Sequence, residues 1–198
     1  MATRNNKKLR ELRDILSGLN IEVISEAEAG IDIEVEETGT TFEENARLKA
    51  NAVMLATKMA AVADDSGLEV RALGGRPGIY SARYGNMDSD EERNNLLLRE
   101  MAGKEDRAAR FVSAVCCIFP DGREITVRGE CCGELLYEPR GAGGFGYDPL
   151  FYMPEQKMSM AELDSDLKNR VSHRAKALNK LYKELEKLEC LTVNKERD

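Results

Sequence analysis

Two adjacent carboxylates, Asp64 and Asp65, follow a short apolar run over residues 60–63. We predict that this run is a buried strand with both carboxylates at its carboxyl end, where α/β proteins place their ligands. Adjacent carboxylates repel each other and favour a nearby cation, so a metal site competes here with an ordinary polar turn. Glu44, in the first turn of a long predicted helix, is a further candidate ligand, although Thr41 and Glu44 also have capping-box spacing.

A second candidate site is the glycine-rich segment Gly141-Ala142-Gly143-Gly144-Phe145-Gly146-Tyr147-Asp148-Pro149. Glycine lets backbone N–H groups approach a ligand closely. Phe145 or Tyr147 can stack on a flat ring, and Asp148 can accept hydrogen bonds from the edge of that ring. The combination suits a nucleobase. A solvated hairpin loop whose aromatic rings pack against the rest of the protein is the alternative.

Basic residues stand at the start of two predicted helices. The segment Thr3-Arg4-Asn5-Asn6-Lys7-Lys8 leads into the first helix, whose N-terminal N–H groups attract phosphate. His173 and Arg174 lie in the first turn of the C-terminal helix, with Ser172 as its predicted N-cap and Lys168 just before it. Cations at a helix N-terminus oppose the helix dipole, so we predict a phosphate site. Pairing with neighbouring acidic residues is the alternative.

Composition narrows the class of function. The 198-residue chain has a net charge of −7, which argues against broad binding to nucleic-acid backbones, so we predict no stable nucleic-acid partner. No apolar run approaches the roughly 20 residues of a membrane helix, and residues 3–6 are polar, unlike a signal peptide. We therefore predict a cytoplasmic protein with no membrane partner. His173 is the single histidine, which excludes a multi-histidine zinc site and favours hydrolysis by carboxylates and a metal.

The cysteines do not have the arrangement of a zinc site or a disulfide framework. If residues 120–123 close a tight hairpin, Cys116 faces about position 127, and Cys131 lies roughly 13 Å further along the strand. We therefore predict buried free thiols for the five cysteines, Cys116, Cys117, Cys131, Cys132 and Cys190.

Helices and strands must position these residues, and the periodicity of apolar residues predicts an α/β fold. One helix is expected from Lys8 onward, and three more cover residues 42–59, 87–101 and 172–188. Ser89 and Glu92 form a capping box at the start of the helix over 87–101. The expected strands are residues 21–24, 60–63 and 68–73 and a hairpin of residues 111–119 with 124–128.

Six motifs occur in order over nearly the whole chain, from Thr3 to about Leu188, and together they resemble the inosine triphosphate pyrophosphatase family, which includes the bacterial dITP/XTP pyrophosphatases. The motifs are Thr3-Arg4-Asn5-Asn6-Lys7-Lys8, Thr41-Phe42-Glu43-Glu44-Asn45-Ala46, Ala63-Asp64-Asp65-Ser66-Gly67-Leu68, Gly75-Arg76-Pro77-Gly78-Ile79-Tyr80-Ser81-Ala82-Arg83, Gly143-Gly144-Phe145-Gly146-Tyr147-Asp148-Pro149 and Ser172-His173-Arg174.

The resemblance implies an activity and an architecture. Deaminated purine triphosphates such as ITP, dITP and XTP would be hydrolysed with Mg²⁺ to the monophosphate and pyrophosphate. The fold would be α/β, with a long mixed central sheet flanked by helices, two lobes with an active-site cleft between them, and a homodimeric assembly. Residues 1–188 would form a single nucleoside-triphosphate pyrophosphatase domain, and residues 189–198 a polar C-terminal tail.

The resemblance also implies roles for individual residues. Glu44 and Asp65 would hold the metal, and Asp65 would also be the proton acceptor. Discrimination would come from the purine 6-oxo group, which accepts hydrogen bonds where the adenine amino group donates them, so that Arg174 or backbone N–H groups reject ATP. The residues implied to contact the nucleotide, chiefly its phosphates, are Thr3, Asn5, Lys8, Ser66 and Lys168. Those implied at the base are Phe145, which would stack on it, and Gly146, Tyr147, Asp148, His173 and Arg174.

Two other functions compete with this interpretation. A nucleotide pyrophosphatase of the septum-inhibitor type would act on other nucleotides, but its motifs differ from those at residues 145–148 and 172–174. A nucleotide-binding sensor with weak or no catalysis is the second alternative. The family usually carries an apolar strand before the position of Thr3, and the sequence has only Met1 and Ala2 there. The presence of Glu44 and Asp65 favours an enzyme.

Overall fold

The computed structural model describes Met1 and residues 6–195, with side chains for Met1 and residues 8–188. Its strands form a five-stranded sheet in the order β1-β2-β3-β4-β5, with antiparallel pairing of β3 with β4 and of β4 with β5. The expected α/β fold class is confirmed. The helices are α1 (Asn6–Leu16), α2 (Phe42–Thr57), α3 (Asp90–Glu100), α4 (Ser165–Val171) and α5 (His173–Lys195), and the strands are β1 (Ala61–Val70), β2 (Ala108–Ile118), β3 (Glu124–Leu135), β4 (Phe151–Met153) and β5 (Met158–Ser159).

The chain divides into two compact units. Unit 1 consists of Met1–Asp65, Ser113–Gly129 and Arg174–Asp198, and unit 2 consists of Ser66–Val112 and Glu130–His173. Strands β1, β2 and β3 therefore each contribute residues to both units.

Unit 1 has an apolar core built from helical leucines and strand residues. Leu12 and Leu16 lie four residues apart on one face of α1, and Leu178 and Leu181 repeat the helical spacing on α5. These leucines pack against Val115 and other buried residues of β2. The packing fixes the two helices that carry Lys8 and Arg174.

Unit 2 has a second apolar core beneath the glycine-rich segment. Leu68 and Val70 of β1 pack with Phe151 of β4 and with Leu97 of α3, and all four are fully buried. Tyr147 belongs to the same cluster. The glycine-rich segment is therefore anchored to this core through one of its own aromatic rings.

Local signals in the sequence identified the capping contacts of two helices correctly. The Thr41 side chain accepts a hydrogen bond from the Glu44 N–H at the start of α2. Ser89 and Glu92 form the expected capping box at the start of α3. These contacts lie within a few residues of each other, so the local sequence determines them.

Predictions for two segments were wrong, and one helix was not predicted. Residues 61–70 form the single strand β1, so Asp64 and Asp65 lie in its interior and not at a carboxyl end. Residues 21–24 form no strand, because the carbonyl of Val23 accepts from Arg13 Nε at 2.9 Å and that of Ile24 from the Met1 ammonium at 2.6 Å. Residues 165–171 form α4, which was not predicted, with Asp164 as its N-cap and Ser172 as its C-cap; α5 begins at His173, directly after Ser172, as expected.

Helix α5 continues to Lys195, beyond the expected end at residue 188. Within residues 6–195, no helix combines the length and the apolar character needed to cross a membrane. The thiols of Cys116, Cys117 and Cys131 are free and buried as expected, whereas Cys132 is free and exposed, which corrects its predicted burial. Cys132 lies on β3, where successive side chains point to opposite faces of the sheet, so its neighbour Cys131 is buried.

Candidate active site

Asp64 is the centre of a buried group of charges in unit 1. Its Oδ2 accepts from Lys8 Nζ at 3.0 Å and from Arg174 Nε at 3.2 Å, and its side chain is 1% exposed. Burial alone would raise the pKa of Asp64, but the charges of Lys8 and Arg174 outweigh burial and hold the pKa well below its usual range. Asp64 is therefore an ionised anchor for two cations.

Arg174 is fully enclosed in unit 1. Besides Asp64, its guanidinium contacts Glu11 of α1, with Nη1 donating to Oε2 at 2.9 Å. Two carboxylates thus stabilise one buried guanidinium, which would be costly to bury with fewer partners. The first-turn position on α5 that suggested a phosphate site is occupied by this internal network. The implied contact of Arg174 with a purine base stays a prediction.

Asp65 is the neighbour of Asp64 on β1 and has different partners. Lys49 Nζ lies 3.2 Å from Asp65 Oδ1, and Asn45 Nδ2 donates to Asp65 Oδ2 at 3.3 Å. The same Lys49 ammonium contacts Glu37 Oε1 at 2.8 Å. Burial, the largest effect, raises the pKa of Asp65, while Lys49 lowers it. A carboxylate with a raised pKa is better suited to accept a proton from water.

Glu44 lies in the first turn of α2, next to Asn45. Its Oε2 accepts from the N–H of Thr40 at 2.6 Å and from Thr40 Oγ1 at 2.9 Å, and these hydrogen bonds lower its pKa. The side chain is exposed to solvent. The predicted capping contact is thus confirmed, since the Glu44 N–H donates to the Thr41 side chain. The ionised Glu44 carboxylate is suited to a hard cation.

The carboxylates of this site would supply part of the ligands of a divalent cation. No group of three or more His, Cys, Asp or Glu side chains within metal-binding reach occurs among the described residues. Mg²⁺ in nucleotide enzymes is commonly bound by one or two carboxylates together with substrate phosphates. Asp65 and Glu44 would supply such carboxylates.

In the glycine-rich segment of unit 2, the carboxylate of Asp148 is engaged within the protein. Asp148 Oδ2 accepts from the N–H of Phe145 at 2.9 Å and from Lys168 Nζ at 2.7 Å. The same ammonium lies 5.1 Å from the centre of the Phe145 ring. A Cβ at Gly144, where φ is +77°, would collide with the Asp148 carboxylate. The segment thus folds around Asp148, and the half-buried Phe145 ring has Lys168 on one face.

Tyr147 and His173 are core residues of unit 2. The Tyr147 hydroxyl donates to the Ser81 carbonyl at 3.0 Å, and burial raises the pKa of Tyr147. The His173 ring stacks on Phe111, with centroids 4.7 Å apart and planes at 15°. Both side chains are buried, so the implied base contacts of these two residues stay predictions.

The other residues that the resemblance implies at the nucleotide lie at separate places in the chain. Ser66 follows Asp65 on β1 and is half-buried. Lys168 lies on α4 against Asp148, ahead of α5 as expected. Thr3 and Asn5 lie outside the described residues.

Sequence reasoning missed four residues of the unit 1 group. Lys49 lies four residues after Asn45 on α2, and Glu11 three residues after Lys8 on α1, so each pair shares a helix face. That spacing could have indicated them. The four missed residues are Glu11, Glu37, Asn45 and Lys49.

Comparison with known proteins agrees with this fold and with these motifs. The family model described as the Ham1 family matches residues 1–184. A solved Ham1 protein from Staphylococcus aureus superimposes with a TM-score of 0.86 at 42% identity, covering 93% of this chain and 96% of that one. A HAM1 protein from Coxiella burnetii gives a TM-score of 0.88 at 38% identity with the same coverage. The α/β fold is therefore that of a Ham1 protein, and the chain belongs to the Ham1 family.

Its relatives include proteins named dITP/XTP pyrophosphatase. The one from Deinococcus radiodurans is 50% identical over 178 residues, which are 90% of this chain and 88% of that protein. The one from Bacillus subtilis is 49% identical over 189 residues, which are 94% of this chain and 96% of that protein. These relatives confirm the resemblance stated from the sequence motifs.

Proposed function

We propose that this protein hydrolyses deaminated purine nucleoside triphosphates, such as ITP, dITP and XTP, to the monophosphate and pyrophosphate. The pairing of Lys49 with Asp65 carries the proposal, because it places a proton acceptor beside a cation that can bind phosphate. The names of the relatives support the same activity. They do not favour a septum-inhibitor type of specificity.

We assign the phosphate end of the substrate to the charged side chains around Asp64 and Asp65. Asp65 accepts a proton from the water molecule that attacks phosphorus, and its burial makes the carboxylate more basic. Lys49 and Lys8 reach the carboxylates of β1 and provide positive charge beside the phosphates. Ser66, Thr3 and Asn5 complete this end of the substrate in our proposal.

The base end of the substrate is assigned to the glycine-rich segment around Phe145. The half-buried Phe145 ring offers a flat apolar face for stacking on a purine. Lys168 and Asp148 fix that ring, and the Gly146 backbone lies beside it. Tyr147, His173 and Arg174 contribute to base recognition through their backbone or by supporting these groups.

Mg²⁺ is the cofactor in this proposal, held by Glu44 and Asp65. When bound, it neutralises charge on the phosphates and on the pyrophosphate that leaves. The chain contributes hard carboxylate oxygens, and the hydrogen bonds from Thr40 keep Glu44 ionised.

We further propose a cytoplasmic homodimer. Light scattering coupled to gel filtration would test the dimer.

Pyrophosphate release tests the function directly. The protein is mixed with ITP, XTP, ATP and GTP, with and without Mg²⁺, and inorganic pyrophosphate is measured. We expect Mg²⁺-dependent release from ITP and XTP well above that from ATP. Comparable release from ATP, or no release from ITP or XTP, would contradict the proposal.

A further inference from the structure

One residue of the glycine-rich segment is held by a helix that lies far from it in the sequence. The N–H of Gly146 donates to Asp90 Oδ2 at 2.6 Å, and the Gly146 carbonyl accepts from Asn94 Nδ2 at 3.0 Å. Asp90 and Asn94 are four residues apart and share one face of α3. Both polar groups of Gly146 are therefore fixed by the same two-residue clamp.

We propose that Asp90 and Asn94 are positioning residues that set the orientation of the Phe145 ring. The proposal rests on the proposed function, in which this ring stacks on the purine base. Gly146 follows Phe145 directly, so fixing its peptide groups fixes the chain on the carboxyl side of the ring. The N–H of Phe145 is bonded to Asp148, which fixes the amino side.

The backbone of this segment requires such support. Gly144 and Gly146 have φ of +77° and +61°, in the left-handed region that glycine adopts readily. A segment with this freedom loses much conformational entropy when it is ordered, so hydrogen bonds must hold it in one state. The clamp supplies two such bonds from a helix whose start is fixed by its own capping box.

The burial of Asn94 supports a dedicated role. Its side chain is buried, and its Oδ1 has no hydrogen-bond partner among the described residues. Burying a half-satisfied amide costs free energy that an apolar side chain would avoid. The one bond that the amide nitrogen makes is to Gly146. The exposed Asn95 beside it on α3 offers a matched control.

Asp90 is held in place for this contact. Its Oδ1 accepts from Arg93 Nη2 at 2.5 Å, and Arg93 Nη1 donates to the Met87 carbonyl at 2.7 Å. One carboxylate oxygen is thus bound within the helix start, and the other is directed to the Gly146 N–H.

A tryptophan reporter tests the clamp apart from turnover. The chain contains no tryptophan, so Phe145→Trp places a single fluorophore in the segment. We would measure acrylamide quenching and anisotropy of this reporter in combination with Asp90→Ala, Asn94→Ala or Asn95→Ala. The clamp variants should raise the quenching constant about twofold and lower the anisotropy, because one hydrogen bond to the backbone is lost. Asn95→Ala should leave both unchanged.

Kinetics without the reporter complete the test. Asp90→Ala and Asn94→Ala should raise the KM for ITP about fivefold and change kcat less than about twofold. Asp90→Asn keeps an acceptor oxygen, so its KM for ITP should be close to that of the unmodified protein. Inhibition by pyrophosphate should be unchanged.

The results separate the two proposals. Unchanged quenching in both clamp variants, or a fall in kcat and melting temperature without a change in quenching, would overturn the clamp. Absence of ITP hydrolysis in the unmodified protein would overturn the proposed function, and the quenching experiment would still decide on the clamp.

Discussion

Lys49 and Asp65 form an ion pair at 3.2 Å, in which the candidate proton acceptor is matched with a cation from α2. Glu37 contacts the same ammonium at 2.8 Å, so Lys49 is shared by two carboxylates. Asn45 holds the other oxygen of Asp65. The orientation of Asp65 is thereby set from both sides by one face of one helix.

Replacing Asp65 should remove the proton acceptor while keeping the shape of the side chain. We expect Asp65→Asn to lower kcat for ITP about 100-fold or more, the usual contribution of a positioned general base. Steady-state pyrophosphate release measures the effect, and the exposed Asp14→Asn on α1 is the control. Near-normal turnover by Asp65→Asn would show that another group accepts the proton.

Removing the charge of Lys49 should change the pH dependence of the reaction. Lys49 lowers the pKa of Asp65, so Lys49→Met should raise that pKa further and protonate the carboxylate at higher pH. The acid limb of the profile of kcat/KM against pH should therefore move to higher pH. Lys183→Met, at an exposed position of α5, should leave the limb in place. If Lys49→Met leaves the acid limb in place, the limb reports the ionisation of a group other than Asp65.

The Phe145 ring should matter for the base and not for the phosphates. Phe145→Ala should weaken ITP binding by roughly 1–3 kcal/mol, by analogy with base stacking in single-strand binding proteins. The KM for ITP and the inhibition constant of pyrophosphate are compared in the same preparation. Tyr137→Ala, which removes an aromatic ring that is 76% exposed, serves as the control. If Phe145→Ala weakens pyrophosphate inhibition as much as ITP binding, the ring supports the fold and does not stack on the base.

The thiols should differ sharply in reactivity. Burial raises the pKa of Cys116 to about 11 and that of Cys117 to about 12, whereas Cys132 is exposed. In a Cys190→Ser background under native conditions, we expect a disulfide reagent to react rapidly with one thiol, that of Cys132. Adding Cys132→Ser should abolish that rapid phase. A rapid phase that survives this substitution would contradict the burial of the other thiols.

Tyr84 should make stability depend on alkaline pH. Burial and the hydrogen bond to Glu100 raise the pKa of Tyr84 from 10.0 to about 12. A raised pKa favours the neutral phenol in the folded state, so this stabilisation is complete below pH 10 and is lost as the pH rises through about 12. Chemical denaturation at several pH values should show a steeper alkaline loss of stability for the unmodified protein than for Tyr84→Phe.

The sequence allowed correct prediction wherever the determining contacts were local. Thr41 and Ser89 bond to backbone N–H groups three residues away, and such signals can be identified from spacing alone. The leucines of α1 likewise followed helical periodicity. The family resemblance then identified the fold, because its motifs covered nearly the whole chain.

Long-range pairing explains what was not predicted. Asp64, Asp65, Ser66 and Gly67 have the composition of a turn, yet they continue β1. Asp64 can be buried there because Lys8 and Arg174 neutralise it, and Arg174 lies 110 residues later in the sequence. No local pattern contains that information, so both the strand and the internal role of Arg174 were missed.

The charges of the unit 1 group are not balanced. Lys8 and Arg174 pair with Asp64 and Glu11, whereas Lys49 is shared by Asp65 and Glu37. These side chains together carry three positive and four negative charges, a net charge of −1 that would repel a free triphosphate. We therefore expect the nucleotide to be recognised as its magnesium complex, with the metal entering as part of the substrate.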